Sequence, residues 1–126
     1  MIFRFSAAAL LAGAAAAAHA APSDVNAQNF YANAKALEAK GMGAMFDKRL
    51  KPMVAQIKDA GARAKAANEV GRGAGRPLYC PPADLGKKMG AKQVIAMIGR
   101  VPESERRSLS LAEAWQRAMI REYPCR

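Results

Sequence analysis

Two cysteines, Cys80 and Cys125, and one dense polar run, Glu103-Ser104-Glu105-Arg106-Arg107, are the residues of this 126-residue chain whose types and spacing could do chemistry. A nucleophilic thiol or hydroxyl needs a partner to take its proton, most often an imidazole. The single histidine, His19, falls in a segment expected to be removed. The mature chain then has no histidine-dependent triad, no histidine-ligated metal site and no imidazole base. No other grouping of Ser, Tyr, Lys and carboxylates stands out. The sequence therefore favours binding over catalysis, with no enzyme activity, cofactor or metal expected.

The cysteines make more sense as a staple. An even count in an oxidising compartment implies one disulfide, Cys80–Cys125, rather than two free thiols. Closing a loop of about 46 residues contributes roughly 4 kcal/mol by the chain-entropy estimate. That is a large share of the roughly 5–15 kcal/mol that holds a typical domain folded.

The compartment is read from residues 1–20, MIFRFSAAALLAGAAAAAHA. Arg4 precedes an apolar run from Ala7 to Ala18, and Ala18-His19-Ala20 has the small-x-small pattern of a signal-peptidase site. The run is too short for a transmembrane anchor, which needs about 20 residues. No cysteine sits at the cleavage point to carry a lipid. A signal peptide cleaved after Ala20 or Ala21 is expected, leaving one exported, periplasmic domain over residues 21–126. Losing Arg4 lowers the formal charge from +10 to about +9. An exported protein meets little nucleic acid, so the partners to expect are anionic lipid head groups, cell-wall polymer or an acidic protein surface. The basic residues are spread along the mature chain.

The elements that must position these residues read as helices. Ser23 or Asp24 can cap a first helix that puts Phe30, Ala34 and Leu37 on one face and ends at Gly41-Met42-Gly43. A second helix, about Asp47 to Val70, carries the stripe Leu50, Met53, Val54, Ile57, Ala60 and Ala64. Pro52 one turn in suits a start near Lys51. Gly71 to Pro77 reads as a flexible basic linker. It lacks the preceding strand and the Gly-Lys-Ser/Thr ending of a phosphate loop. Leu78 to Pro82 must be extended. A third helix is expected over about Asp84 to Arg100, with Leu85, Met89, Val94, Ile95, Ile98 and Val101 inward. Pro102 to Arg107 reads as a polar turn. Ser110 and Glu113 have capping-box spacing for a fourth helix with Leu111, Ala114, Trp115, Ala118 and Met119 inside, ended by Pro124. Trp115 and Met119 read as core, and Tyr79 and Tyr123 as packing over the disulfide. The fold class is all-α: a small domain of roughly four helices, bundle-like or orthogonal, stapled by one disulfide after a cleaved signal peptide.

Over residues 78–125 a further pattern emerges: Cys80-Pro81-Pro82, an apolar helix, Val101-Pro102-Glu103-Ser104-x-Arg106, a helix with Ala114, and Tyr123-Pro124-Cys125. This resembles the Rap/Tai-like periplasmic immunity proteins for amidase effectors of type VI secretion. The resemblance implies an all-helical exported domain, often a homodimer, that binds an incoming peptidoglycan amidase and blocks its active site. Under it, Glu103, Ser104, Glu105, Arg106 and Arg107 become a protruding partner-binding loop that plugs the amidase cleft. The plainer reading of the same residues is a solvated turn in which Arg106 pairs with Glu103 at helical spacing. The competing function is a basic structural or envelope-binding protein held electrostatically to anionic lipid or cell wall.

Overall fold

A computed structural model describes residues 20–126. The expected signal peptide, apart from Ala20, lies outside the described residues, and so does His19. Among the described residues there are six α-helices and no strand beyond one isolated bridge. They are α1 (Ala27–Lys40), α2 (Leu50–Gly73), α3 (Leu85–Lys88), α4 (Ala91–Arg100), α5 (Glu103–Ser108) and α6 (Leu111–Glu122), with 3-10 turns at Pro22–Asp24 and Gly41–Phe46. The all-α, disulfide-stapled class is as expected. The count rises from four because one expected helix is split and one expected turn is helical.

Helix α1 starts one turn later than the Ser23/Asp24 caps would place it. Asn26 is the cap, its side chain accepting from the Asn29 N–H at 3.0 Å. Ser23 is instead fully buried in the preceding 3-10 turn, where its hydroxyl and N–H both donate to Asp59 of α2. Gly41, at φ +56°, ends α1 in a backbone region that L side chains avoid. Phe30, Ala34 and Leu37 face the core as their spacing requires.

Helix α2 begins after Asp47, whose carboxylate takes the Arg49 N–H at 2.9 Å. Met53, Ala60 and Ala64 are buried, while Val54 at the stripe's edge is 40% exposed. The segment expected to be a flexible linker is ordered. Helix α2 runs on to Gly73, and the Arg76 N–H donates back to the Gly71 carbonyl at 2.7 Å. A Cβ on Gly71 would lie 2.5 Å from the Arg76 carbonyl oxygen, so this return demands glycine. Buried Asn68 then clasps the extended strip: its Oδ1 accepts from the N–H groups of Leu78 (2.7 Å) and Tyr79 (3.1 Å), and its Nδ2 donates to the Tyr79 carbonyl (3.0 Å).

The expected third helix breaks at Met89-Gly90. Gly90 is extended (φ −97°, ψ 175°) and restarts α4 as its cap, donating its N–H to Gln93 Oε1 at 3.1 Å. The break lets Leu85 face Trp115 and Met119 while Val94 and Ile95 face α1 and α2.

The polar run 102–107 is also more regular than its composition suggests. Pro102 opens α5, Glu103 and Glu105 lie in its first turn, and Arg106 and Arg107 lie in its last. That charge order matches the helix dipole. Helix α6 has the Ser110–Glu113 capping box, the Glu113 N–H reaching Ser110 Oγ at 3.2 Å.

One apolar core joins the inner faces of α1, α2, α4 and α6, with Ile98, Val101 and Leu111 fully buried. The Cys80–Cys125 disulfide is formed, with a Cα separation of 5.0 Å. Beside it the Cys80 N–H donates to the Tyr123 carbonyl at 2.7 Å, so the strip before α3 is tied to the end of α6 twice. Tyr79 is buried in the main core and Tyr123 packs against it.

Candidate functional site

The five residues of the candidate loop part company in three dimensions. Arg106 points inward and is only 7% exposed. Its Nε donates to Gln28 Oε1 at 2.7 Å, and one terminal nitrogen donates to the carbonyls of Gly99 (3.1 Å) and Val101. The guanidinium stacks 4.3 Å from the Tyr31 ring centroid. This residue knits α1, the end of α4 and α5 together, so within the expected loop it has a structural role. It does not pair with Glu103. Glu103 pairs with Arg107 instead, at 3.0 Å. Glu105 is held by Arg121 at 3.1 Å and Arg117 at 3.6 Å. Glu103, Ser104 and Arg107 remain on the surface.

A second surface is more distinctive. Between α1, α2 and the start of α4 lies an open groove of about 490 Å³, apolar except for Glu38 and Lys92 at its edge. Phe30, Leu37 and Met53 form its floor; Leu50, Ile57, Val94 and Ile95 line its walls. Gly41 at its end allows the chain to leave α1 and enter the 3-10 turn Gly41–Phe46. That turn holds Met42, Met45 and Phe46 at 82%, 72% and 92% exposure. A single exposed apolar residue needs no explanation, but three large ones on one turn beside an apolar groove depart from that ordinary scatter. Methionines at such a surface can adapt to the shape of what they cover.

Periodicity could not find this site. Helical spacing makes the 3-10 turn only the end of a helix and turns the wall residues toward the core. The available signal was the apolar cluster Met42, Met45 and Phe46 after a helix-ending glycine.

The turn is held at its far end by charge. Asp47 accepts from Lys40 at 2.6 Å and from Arg49 Nη2 at 2.9 Å. Hydrogen bonds from Arg49, then from Lys40, keep its carboxyl far below the usual carboxylate range. Around the groove the balance is strongly positive. Residues 27–60 and 85–100 hold ten Lys and Arg against three Asp and Glu. Lys48, Lys51, Lys58, Lys87 and Lys92 have no ion-pair partner among the described residues.

No three His, Cys, Asp or Glu among the described residues are placed to hold a metal ion. No described helix is long and apolar enough to cross a membrane. The fold and surface define a class: a small disulfide-stapled helical domain with an open, lysine-framed apolar groove. Comparison with known protein families, curated proteins and solved structures finds no match to this chain.

Proposed function

We propose that this chain is an exported, non-catalytic binding protein that occludes a secreted peptidoglycan amidase, as an immunity protein of the type VI secretion kind does. The observation that carries the binding role is the exposed Met42, Met45 and Phe46 beside the open groove. Such apolar area in water is unfavourable until a partner covers it. The amidase as target rests on the pattern from Cys80-Pro81-Pro82 to Tyr123-Pro124-Cys125. The formed disulfide is compatible with an oxidising compartment.

The unpaired lysines favour a second reading, electrostatic attachment to anionic lipid or cell wall. Salt separates the two. A salt-titrated capture with the oxidised 21–126 chain, followed by a peptidoglycan hydrolysis assay, tests them together. One amidase retained near 1:1 through high salt and inhibited in the assay is the expected result, because buried apolar contacts carry such complexes. Retention only of sacculi or anionic vesicles, lost as salt rises, overturns the amidase reading.

A further inference from the structure

We propose that the groove between α1, α2 and α4 takes an acidic amphipathic helix of the partner protein. This rests on the binding role proposed above and adds the chemistry of the docked segment. Three observations lead to it.

First, the groove is concave and walled by helices, its floor continuous with the core through Phe30, Leu37 and Met53. A ridge of side chains at i, i+3, i+4 and i+7 fills such a shape, as in other helix-in-groove complexes. A flat bilayer surface leaves it empty.

Second, the 3-10 turn whose Gly41 and Ala44 line the groove also carries Met45 and Phe46, more than 70% exposed. Laid against the apolar stripe of a docked helix, they close the end of the groove with adaptable apolar contact.

Third, the frame is cationic. Lys92 lies on the rim, Lys48 and Lys51 flank the groove-lining Leu50, and Lys58 follows Ile57, all without ion-pair partners among the described residues. Glu38, the one acid on the groove's edge, is occupied by Lys35 at 2.8 Å. Charge complementarity therefore selects Asp and Glu on the outer flanks of the incoming helix and disfavours a basic one.

The test uses the oxidised 21–126 chain and two labelled synthetic helices of about 18 residues, ~27 Å long. Both carry leucines at i, i+3, i+4 and i+7; one has glutamates elsewhere, the other lysines. Fluorescence anisotropy is read in parallel with flotation on vesicles of phosphatidylcholine with about one-third phosphatidylglycerol. The acidic helix should bind at least roughly tenfold more tightly than the basic one. Phe46→Ser, an exposed position that leaves the core untouched, and the pair Lys51→Glu with Lys92→Glu should each weaken it by roughly tenfold. Circular dichroism confirms that the variants stay folded.

Equal affinity for the two helices, or acidic-helix binding indifferent to Phe46→Ser, overturns the proposal. So does vesicle flotation that needs Phe46, or a dimer of this chain that Phe46→Ser abolishes, because either result gives the groove a different occupant. Amidase inhibition is measured separately with the same variants. Inhibition that survives Phe46→Ser overturns the groove proposal and leaves the amidase reading standing. Acidic-helix binding with no amidase inhibited supports the groove proposal and overturns the amidase reading.

Discussion

Arg106 carries more of the structure than its place in a charged run suggests. Its side chain satisfies the carbonyls at the end of α4 and covers Tyr31. Replacing it with alanine takes the side-chain donor from the buried Val101 carbonyl and from the part-buried Gly99 carbonyl and Gln28 amide. Arg106→Ala should therefore cost about 3 kcal/mol in urea unfolding. Glu103→Ala and Ser104→Ala, both on the surface, should stay within about 0.5 kcal/mol. A small loss at Arg106 would show that these internal bonds add little to the stability of the fold.

Asp47 makes a different kind of prediction. Hydrogen bonds from Arg49 and Lys40 depress its folded pKa. Its contribution is therefore present above the unfolded carboxylate value of about 4 and is lost as pH falls toward the depressed folded value. Melting temperature should fall as the solution is acidified below about pH 4, and Asp47→Asn should flatten that part of the profile. An unchanged profile in Asp47→Asn would show that other carboxylates dominate the acid transition.

The helices divide by how local their causes are. Helix α1's inner face, helix α6's capping box and the stripe of α2 each follow from neighbours within a turn or two, and each is where spacing places it. The continuation of α2 through Gly71 and the split at Gly90 depend on contacts further away. Gly71→Ala sets a methyl against the Arg76 carbonyl. That clash should destabilise the fold by about 1–3 kcal/mol, read by thermal melting. The same change at Gly73, where an added Cβ meets nothing within 4 Å, should be neutral or slightly stabilising through helix propensity. If both behave alike, the tight return at 71–76 is not what holds α2 to the extended strip.

For the molecule as a whole, the disulfide decides how much the C-terminal half resists unfolding. It links positions 80 and 125, which the Cys80 N–H to Tyr123 carbonyl bond already brings together. Replacing both cysteines with serine should leave the native helix content unchanged but remove roughly 4 kcal/mol of stability. Denaturant titration with and without reductant checks this. A loss below about 1 kcal/mol would mean that residual structure in the unfolded chain already holds the loop closed. The groove and the Met42–Phe46 turn lie away from this staple, built on α1, α2 and α4. Surface substitutions there should change binding without changing the melting temperature.

By itself, the sequence determined the all-helical class, the single disulfide, and which faces of α1, α2 and α6 turn inward. Each follows from short-range periodicity, glycine and proline placement, or an even cysteine count, and those act within a few residues or by elimination. Only the tertiary structure decided that Arg106 lies buried on Tyr31, that the expected third helix splits at Gly90, and that Val94, Ile95, Leu50 and Ile57 wall an open groove beside exposed Phe46. An apolar stripe shows only that a face needs covering. Whether another helix of the same chain covers it depends on where distant elements pack, and among the described residues part of the face shared by α1, α2 and α4 is left uncovered.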